Sequence, residues 1–135
     1  MKKCVLPVAV AMCLLIGCVN NTFRWEFLYE FDYVKEIKLI EMYDEYNYSV
    51  IKEIDITLAE ELYIDISSLE MTRYGMNLSA PYGICFLVIF ENGEYDIISQ
   101  KESKHYKFDQ GKLVAHNSWL CCDEEKYMEL VEKYM

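Results

Sequence analysis

The stretch "ICFLVIFENGEYDIISQ", residues 84–100, constrains the fold more than any other part of the chain. An uncharged apolar run meets Asn92-Gly93 and is followed by a second apolar run. That order is the signature of a type I′ hairpin, since Asn and Gly both accept the positive φ its two central positions require. The chain is thereby committed to an antiparallel sheet. Counting back from a two-residue turn opposes Phe90 to Tyr95, Val88 to Ile97 and Phe86 to Ser99, and this face is predicted to meet the core. The other face carries Cys85, Leu87 and Ile89 against Asp96, Ile98 and Gln100 and is predicted to be half-covered.

The flanking segments extend the sheet and supply helices to cover it. "YVKEIKLIEMYDEY" and "YSVIKEIDI" read as two antiparallel strands joined by a turn around residues 44–47. "ITLAEELYIDISSLE" reads as a helix, with Thr57 and Glu60 at capping-box spacing and an apolar face of Leu58, Leu62, Ile66 and Leu69. Residues 74–83 hold two glycines and Pro81 and read as a loop, with Met76 and Leu78 as candidates for an edge strand. "KHYKFDQGKLVAHNSW" reads as a second hairpin with Asp109-Gln110-Gly111 as a three-residue connection, opposing Phe108 to Lys112 and His105 to Ala115. At the end, Asp123 caps a helix whose first turn holds Glu124 and Glu125 and whose apolar face is Tyr127, Leu130, Val131 and Tyr134. The expected fold is α+β, a largely antiparallel sheet of about five to six strands packed against two helices.

The amino terminus follows different rules. Lys2-Lys3 precede an uncharged run over residues 4–16, the basic and apolar parts of a secretory signal peptide, and the run is shorter than the about 20 residues of a spanning helix. Leu15-Ile16-Gly17-Cys18 then resembles the lipobox of bacterial lipoproteins. The resemblance implies that a diacylglycerol is attached to the Cys18 thiol, that cleavage falls between Gly17 and Cys18, and that the protein is held extracytoplasmically on the bacterial cell membrane by lipid, the bilayer being its first partner. A signal peptide over 1–17, a short tether over 18–24 and a single α+β domain over 25–135 follow. Loss of Lys2 and Lys3 takes the formal charge from −10 to −12. Such a chain offers no basic stripe to a phosphate backbone, so nucleic acid is not expected as a partner.

A second resemblance covers residues 84–134. The order of aliphatic strand, Asn-Gly turn, "YDIIS", tyrosine-bearing strand and a final stretch bearing Trp119, Cys122, Glu124, Glu125, Tyr127, Leu130, Val131 and Tyr134 is similar to small lipoproteins of Gram-positive bacteria without assigned activity. It implies class and location, and no reaction. Cys18 aside, Cys85, Cys121 and Cys122 are an odd set outside the cytoplasm. One reading is a Cys85 bridge to the region before the last helix, with Cys122 the partner the resemblance favours. A strained bridge between adjacent Cys121 and Cys122 is another, and three small packed thiols the third.

For function, Trp25, Phe27, Tyr29, Phe31 and Tyr33 alternate with Glu26, Glu30 and Asp32, the pattern of a strand with one aromatic face. That strand either closes the core or, with Tyr106 and the half-covered hairpin, presents an acidic, aromatic surface to an envelope protein, a peptide or a wall component. A tethered interaction module is the leading reading and implies a basic complement on a protein partner. The alternative is a small-ligand or metal-sensing lipoprotein, in which His105 and His116, with Asp96 or Asp109, have the ligand types for zinc or copper and converge with Tyr106 on one pocket. A small hydrolase would place Ser99, Ser103 or Ser118 beside one of these histidines, but no nucleophile-elbow pattern surrounds them. No catalytic residue, cofactor or established metal motif is assigned, and the expectation is a protein that is not an enzyme.

Overall fold

The computed structural model of the protein describes residues 23–73, 82–117 and 120–135. The lipobox at 15–18, the Met76 and Leu78 strand candidates, Ser118 and Trp119 lie outside the described residues. The elements are β1 (Val34–Met42), β2 (Tyr48–Glu53), α1 (Ile56–Ser68), β3 (Met71–Arg73), β4 (Gly83–Phe90), β5 (Tyr95–Ile98), β6 (Lys104–Asp109), β7 (Lys112–Asn117), β8 (Leu120–Cys122) and α2 (Glu124–Tyr134), with a 3-10 turn at Phe31–Tyr33 before β1. A six-stranded antiparallel sheet runs in the order β2-β1-β4-β5-β6-β7, and β3 pairs with β8 in a second small sheet. The fold is α+β, as the pattern of strands and helices predicts.

Period-two alternation sorts the large sheet into two apolar faces. Ile37 and Leu39 of β1, Phe86, Val88 and Phe90 of β4 and Ile98 of β5 point toward the helices and meet Ala59, Leu62 and Ile66 of α1 and Tyr127, Leu130, Val131 and Tyr134 of α2. Ile40, Met42, Cys85, Leu87, Ile97 and Tyr106 form a second buried cluster on the opposite face. That face is the half-covered one predicted from the hairpin, and it is more deeply buried than the alternation suggests.

Local chemistry explains where the helices begin. Asp55 caps α1, its carboxylate accepting from the Thr57 backbone N–H at 2.9 Å and the Thr57 hydroxyl at 3.0 Å. The cap therefore sits two residues before the predicted Thr57, because a carboxylate satisfies the orphan N–H groups of the first turn and leaves Thr57 inside the helix. The apolar face shifts with it: Ala59 is buried and Leu58 is 42 % exposed. For α2 the predicted cap and face both hold, with Asp123 accepting from the Lys126 N–H at 3.2 Å. Asp65 of α1 joins the two helices by taking the Lys133 ammonium at 2.7 Å and the Tyr134 hydroxyl at 2.5 Å.

The two hairpins exchange the turn types expected of them. Between β4 and β5, the Gly93 N–H bonds the Phe90 carbonyl and the Phe90 N–H bonds the Glu94 carbonyl, each at 2.9 Å, which makes a three-residue loop. Gly93 has φ +89 while Asn92 stays in the ordinary region. This is a type I turn followed by a glycine bulge. Asn92 is used through its side chain, its Oδ1 accepting from the Glu94 N–H at 3.0 Å. The extra loop residue moves the register by one, so Val88 faces Asp96 and Phe86 faces Ile98, correcting the predicted pairs. Asp96 and Ile98 thereby join the helix-covered face, and Tyr95 and Ile97 go to the other. Between β6 and β7 the turn is the two-residue Gln110-Gly111, with φ +51 and +79, and the strands pair Asp109 with Lys112, Phe108 with Leu113 and His105 with His116. The predicted three-residue loop is thus one residue too long.

Candidate functional site

Residues 23–33 do not form the predicted strand. Phe23 makes an isolated bridge to Met71, after which the chain runs irregularly across the helix-side core. Its backbone is satisfied by side chains: the Leu28 N–H bonds Asp96 at 3.2 Å and the Tyr29 carbonyl accepts from the Tyr63 hydroxyl at 2.7 Å. The aromatic alternation serves separate anchor points. Trp25 is buried and stacks on His105 with centroids 4.4 Å apart, while Phe27 stacks on Tyr63 at 4.1 Å. Tyr29 and Tyr33 are partly exposed and lean on each other at 4.8 Å. Tyr106 is buried on the opposite face of the sheet, stacked on Tyr95 at 4.5 Å. The five aromatic candidates are therefore divided between two faces, and Trp25 and Tyr106 are core residues.

The tyrosine at 29 also enters a buried polar knot. Glu94, 7 % exposed, accepts from the Tyr29 hydroxyl, from Asn92 Nδ2 at 2.8 Å and from the Phe108 N–H at 2.7 Å. The Tyr29 hydrogen bond holds its carboxyl below the usual range, against the opposing effect of burial, and the Phe108 and Asn92 bonds add to it.

His105 and His116 are brought together, as direct cross-strand partners on β6 and β7. Asp96 is opposite His105 on the other side, and its Oδ1 lies 2.6 Å from His105 Nδ1. Asp96 is fully buried, and burial raises its carboxyl while His105 opposes the rise. Asp109 is at the far end of β6, paired with Lys112. The predicted convergence with Tyr106 fails because residues 105 and 106 are neighbours on one strand and point to opposite faces. Ser99 and Ser103 bond one another and the residue 102 backbone: the Ser99 N–H donates to Ser103 Oγ at 3.1 Å, and the Glu102 N–H donates to Ser99 Oγ at 3.0 Å. They build the β5–β6 connection. Among the described residues no group of three His, Cys, Asp or Glu side chains surrounds a common metal position.

Cys85, Cys121 and Cys122 are free thiols. The Cys85–Cys122 bridge does not form because Cys85 belongs to the open-face cluster and Cys122 to the helix-side core. Burial pushes both thiols up to about 12, which keeps them protonated and unreactive at neutral pH.

The sheet face opposite α1 and α2 carries the concave feature that sequence reading did not locate. A cavity of about 190 Å³ has Met42, Leu87 and Ile97 in its floor and Tyr46, Tyr48, Tyr95, Glu45, Ile89 and Gly93 around it. The loop bearing Glu45 and Tyr46 is built by Asp44, whose Oδ1 accepts from the Tyr46 and Asn47 N–H groups, both at 2.9 Å. Glu45 lies 3.8 Å from the buried Lys104 ammonium. Nearby Glu102 is 1 % exposed, and among the described residues neither its carboxylate oxygens nor the Tyr106 hydroxyl has a hydrogen-bond partner. Burial raises the Glu102 carboxyl, Lys104 opposing and Glu45 adding to the rise. With its folded value above its unfolded one, Glu102 favours the fold at acid pH and opposes it as pH rises. Glu102→Gln is accordingly expected to stabilise the domain by about 1 kcal/mol at pH 7. Urea unfolding should show this gain shrinking to nothing below about pH 4, near the ordinary glutamate value.

Together these features define an α+β domain with α1 and α2 on one sheet face and, on the other, a tyrosine-rimmed cavity that Glu45 also lines. No family model, no curated protein and no solved structure matches the chain. Among the described residues, no helix is long and apolar enough to cross a membrane.

Proposed function

We propose that this protein is a cell-envelope lipoprotein, anchored through an acylated Cys18, whose domain is an interaction module that binds a cationic group of an envelope protein or peptide. The observation that carries the reading is the composition of the open-face cavity. Its apolar floor gives contact area, its tyrosine faces suit a lysine or arginine side chain, and Glu45 supplies charge at the mouth. Glu45 is the carboxylate at the cavity edge, and the chain's formal charge of −10 has the sign that suits a cationic partner. The Asp44-braced turn holds Tyr46 and Glu45 in place before binding, which lowers the ordering cost. The exposed edge strand β2 beside the cavity brings Tyr48 and Val50 to the same surface.

Photo-crosslinking in intact membranes tests this. A photoreactive residue replacing Tyr46 is expected to capture a discrete partner through a lysine- or arginine-bearing segment. The same residue at Tyr29, on the other side of the domain, should not. Capture should fall at least about tenfold when Glu45→Lys is added, as for loss of a desolvated ionic contact. Equal capture from both positions, or capture indifferent to Glu45→Lys, would sink the reading. Labelled palmitate should enter the wild-type chain and not Cys18→Ala; incorporation into both would remove the anchor.

A further inference from the structure

The row Asp96, His105, His116 crosses three adjacent strands on the sheet face opposite the cavity, and the interaction surface does not use it. Directly opposed residues on antiparallel strands have Cβ atoms about 4.5–5.5 Å apart, so two imidazoles at such positions reach one ion between them. The orientation of His105 is already determined. Its Nδ1 is held at 2.6 Å by the buried carboxylate of Asp96, and its ring is clamped against Trp25 at a 27° interplanar angle. A carboxylate on one imidazole nitrogen leaves the other, Nε2, as the metal-binding atom. His105 keeps 22 % of its side-chain surface, and His116 is exposed on the edge strand.

We propose that His105 and His116 form a two-histidine site for a divalent transition ion of the zinc and copper class, with Asp96 as the positioning residue. Imidazole nitrogens suit these ions, and water fills the positions that protein does not. Magnesium and calcium, which demand oxygen ligands, are excluded by the same donor set. The occupied site would tie β6 to the sheet's edge strand β7 and lie over the segment that carries Trp25.

The test uses the full acylated chain in detergent, stripped with chelator and titrated separately with zinc chloride and copper chloride by calorimetry. One equivalent of each is expected to bind. Copper should also quench tryptophan emission, because Trp25 stacks on a ligand. His116→Ala, an exposed substitution that leaves the Asp96 and Trp25 contacts intact, should weaken binding at least about tenfold and abolish the quenching. Asp96→Asn should weaken it by about 10–100-fold, the range for a lost outer partner, in protein whose circular dichroism is unchanged. Imidazole nitrogen spectra should show both rings shifting with zinc. Binding that survives His116→Ala, or that is lost with Cys121→Ser instead, would assign the ion to another donor and overturn the site.

Discussion

Tyr127→Ala is expected to lower the stability of the domain by about 3–5 kcal/mol, the largest loss anticipated for a single truncation here. The ring is 2 % exposed, packs edge-on against Phe86 at 6.0 Å, and sits where α2 meets the sheet. Its hydroxyl does separate work, donating toward the Ile84 carbonyl at 2.6 Å and the Ile98 carbonyl at 3.2 Å. Those carbonyls belong to β4 and β5, so one side chain of α2 holds both strands of the central hairpin. Burial raises the hydroxyl well above its ordinary value, which keeps it a donor throughout the accessible pH range. Tyr127→Phe should therefore cost about 1–2 kcal/mol by leaving a buried acceptor unpaired. Urea unfolding of the two variants apportions ring from hydroxyl. A loss below about 1 kcal/mol for Tyr127→Ala would mean that α2 is not seated as described.

Glu94→Ala should cost about 2–3 kcal/mol, because one buried carboxylate serves three donors and two of them come from other parts of the chain. The Phe108 N–H would lose its acceptor and the Tyr29 hydroxyl its anchor, loosening the second hairpin and residues 23–33 together. The pH dependence has a definite sign. Since the folded carboxyl is held below its unfolded value, its contribution is complete above about pH 4.3 and is lost as pH falls through the folded value. The stability gap between wild type and Glu94→Gln should be full at pH 7 and should close on acidification. A gap that widened toward acid would contradict the hydrogen bonding of this carboxylate. Glu102 behaves oppositely, so the Glu102→Gln profile is the internal control for the sign.

These two carboxylates also mark what sequence reading could reach. Both lie next to turns, in positions that read as solvated chain. Nothing local distinguishes Glu94, which finds donors on residues 29, 92 and 108, from exposed Glu91 three residues earlier. Their burial follows from segments far apart in sequence closing over them. The tyrosines of the cavity were equally invisible as a group, since Tyr46 comes from the β1–β2 turn, Tyr48 from β2 and Tyr95 from β5. The aromatic run at 25–33 was the conspicuous feature, yet its regular alternation belongs to an irregular segment whose rings bind separate partners. Alternation registers which positions want burial, and it does not report whether a neighbouring strand is there to pair with.

Chain chemistry alone determined the α+β class, β1 and β2, the Asp123 cap and the buried face of α2, because each rests on interactions within a few residues: a side-chain cap, a two-residue or 3.6-residue apolar period, a turn-forming residue. Tertiary structure decided the register, and with it the functional geography. A hairpin with Asn-Gly or Gln-Gly at its tip can close with either two or three loop residues at similar local cost, and that single residue sends Asp96 to one face of the sheet or the other. Once β6 and β7 close with two, His105 meets His116, while the β5–β6 pairing brings Asp96 to His105. The choice belongs to the packed core, where the observed register sets Ile98 opposite Phe86 in the helix-side cluster that holds Tyr127.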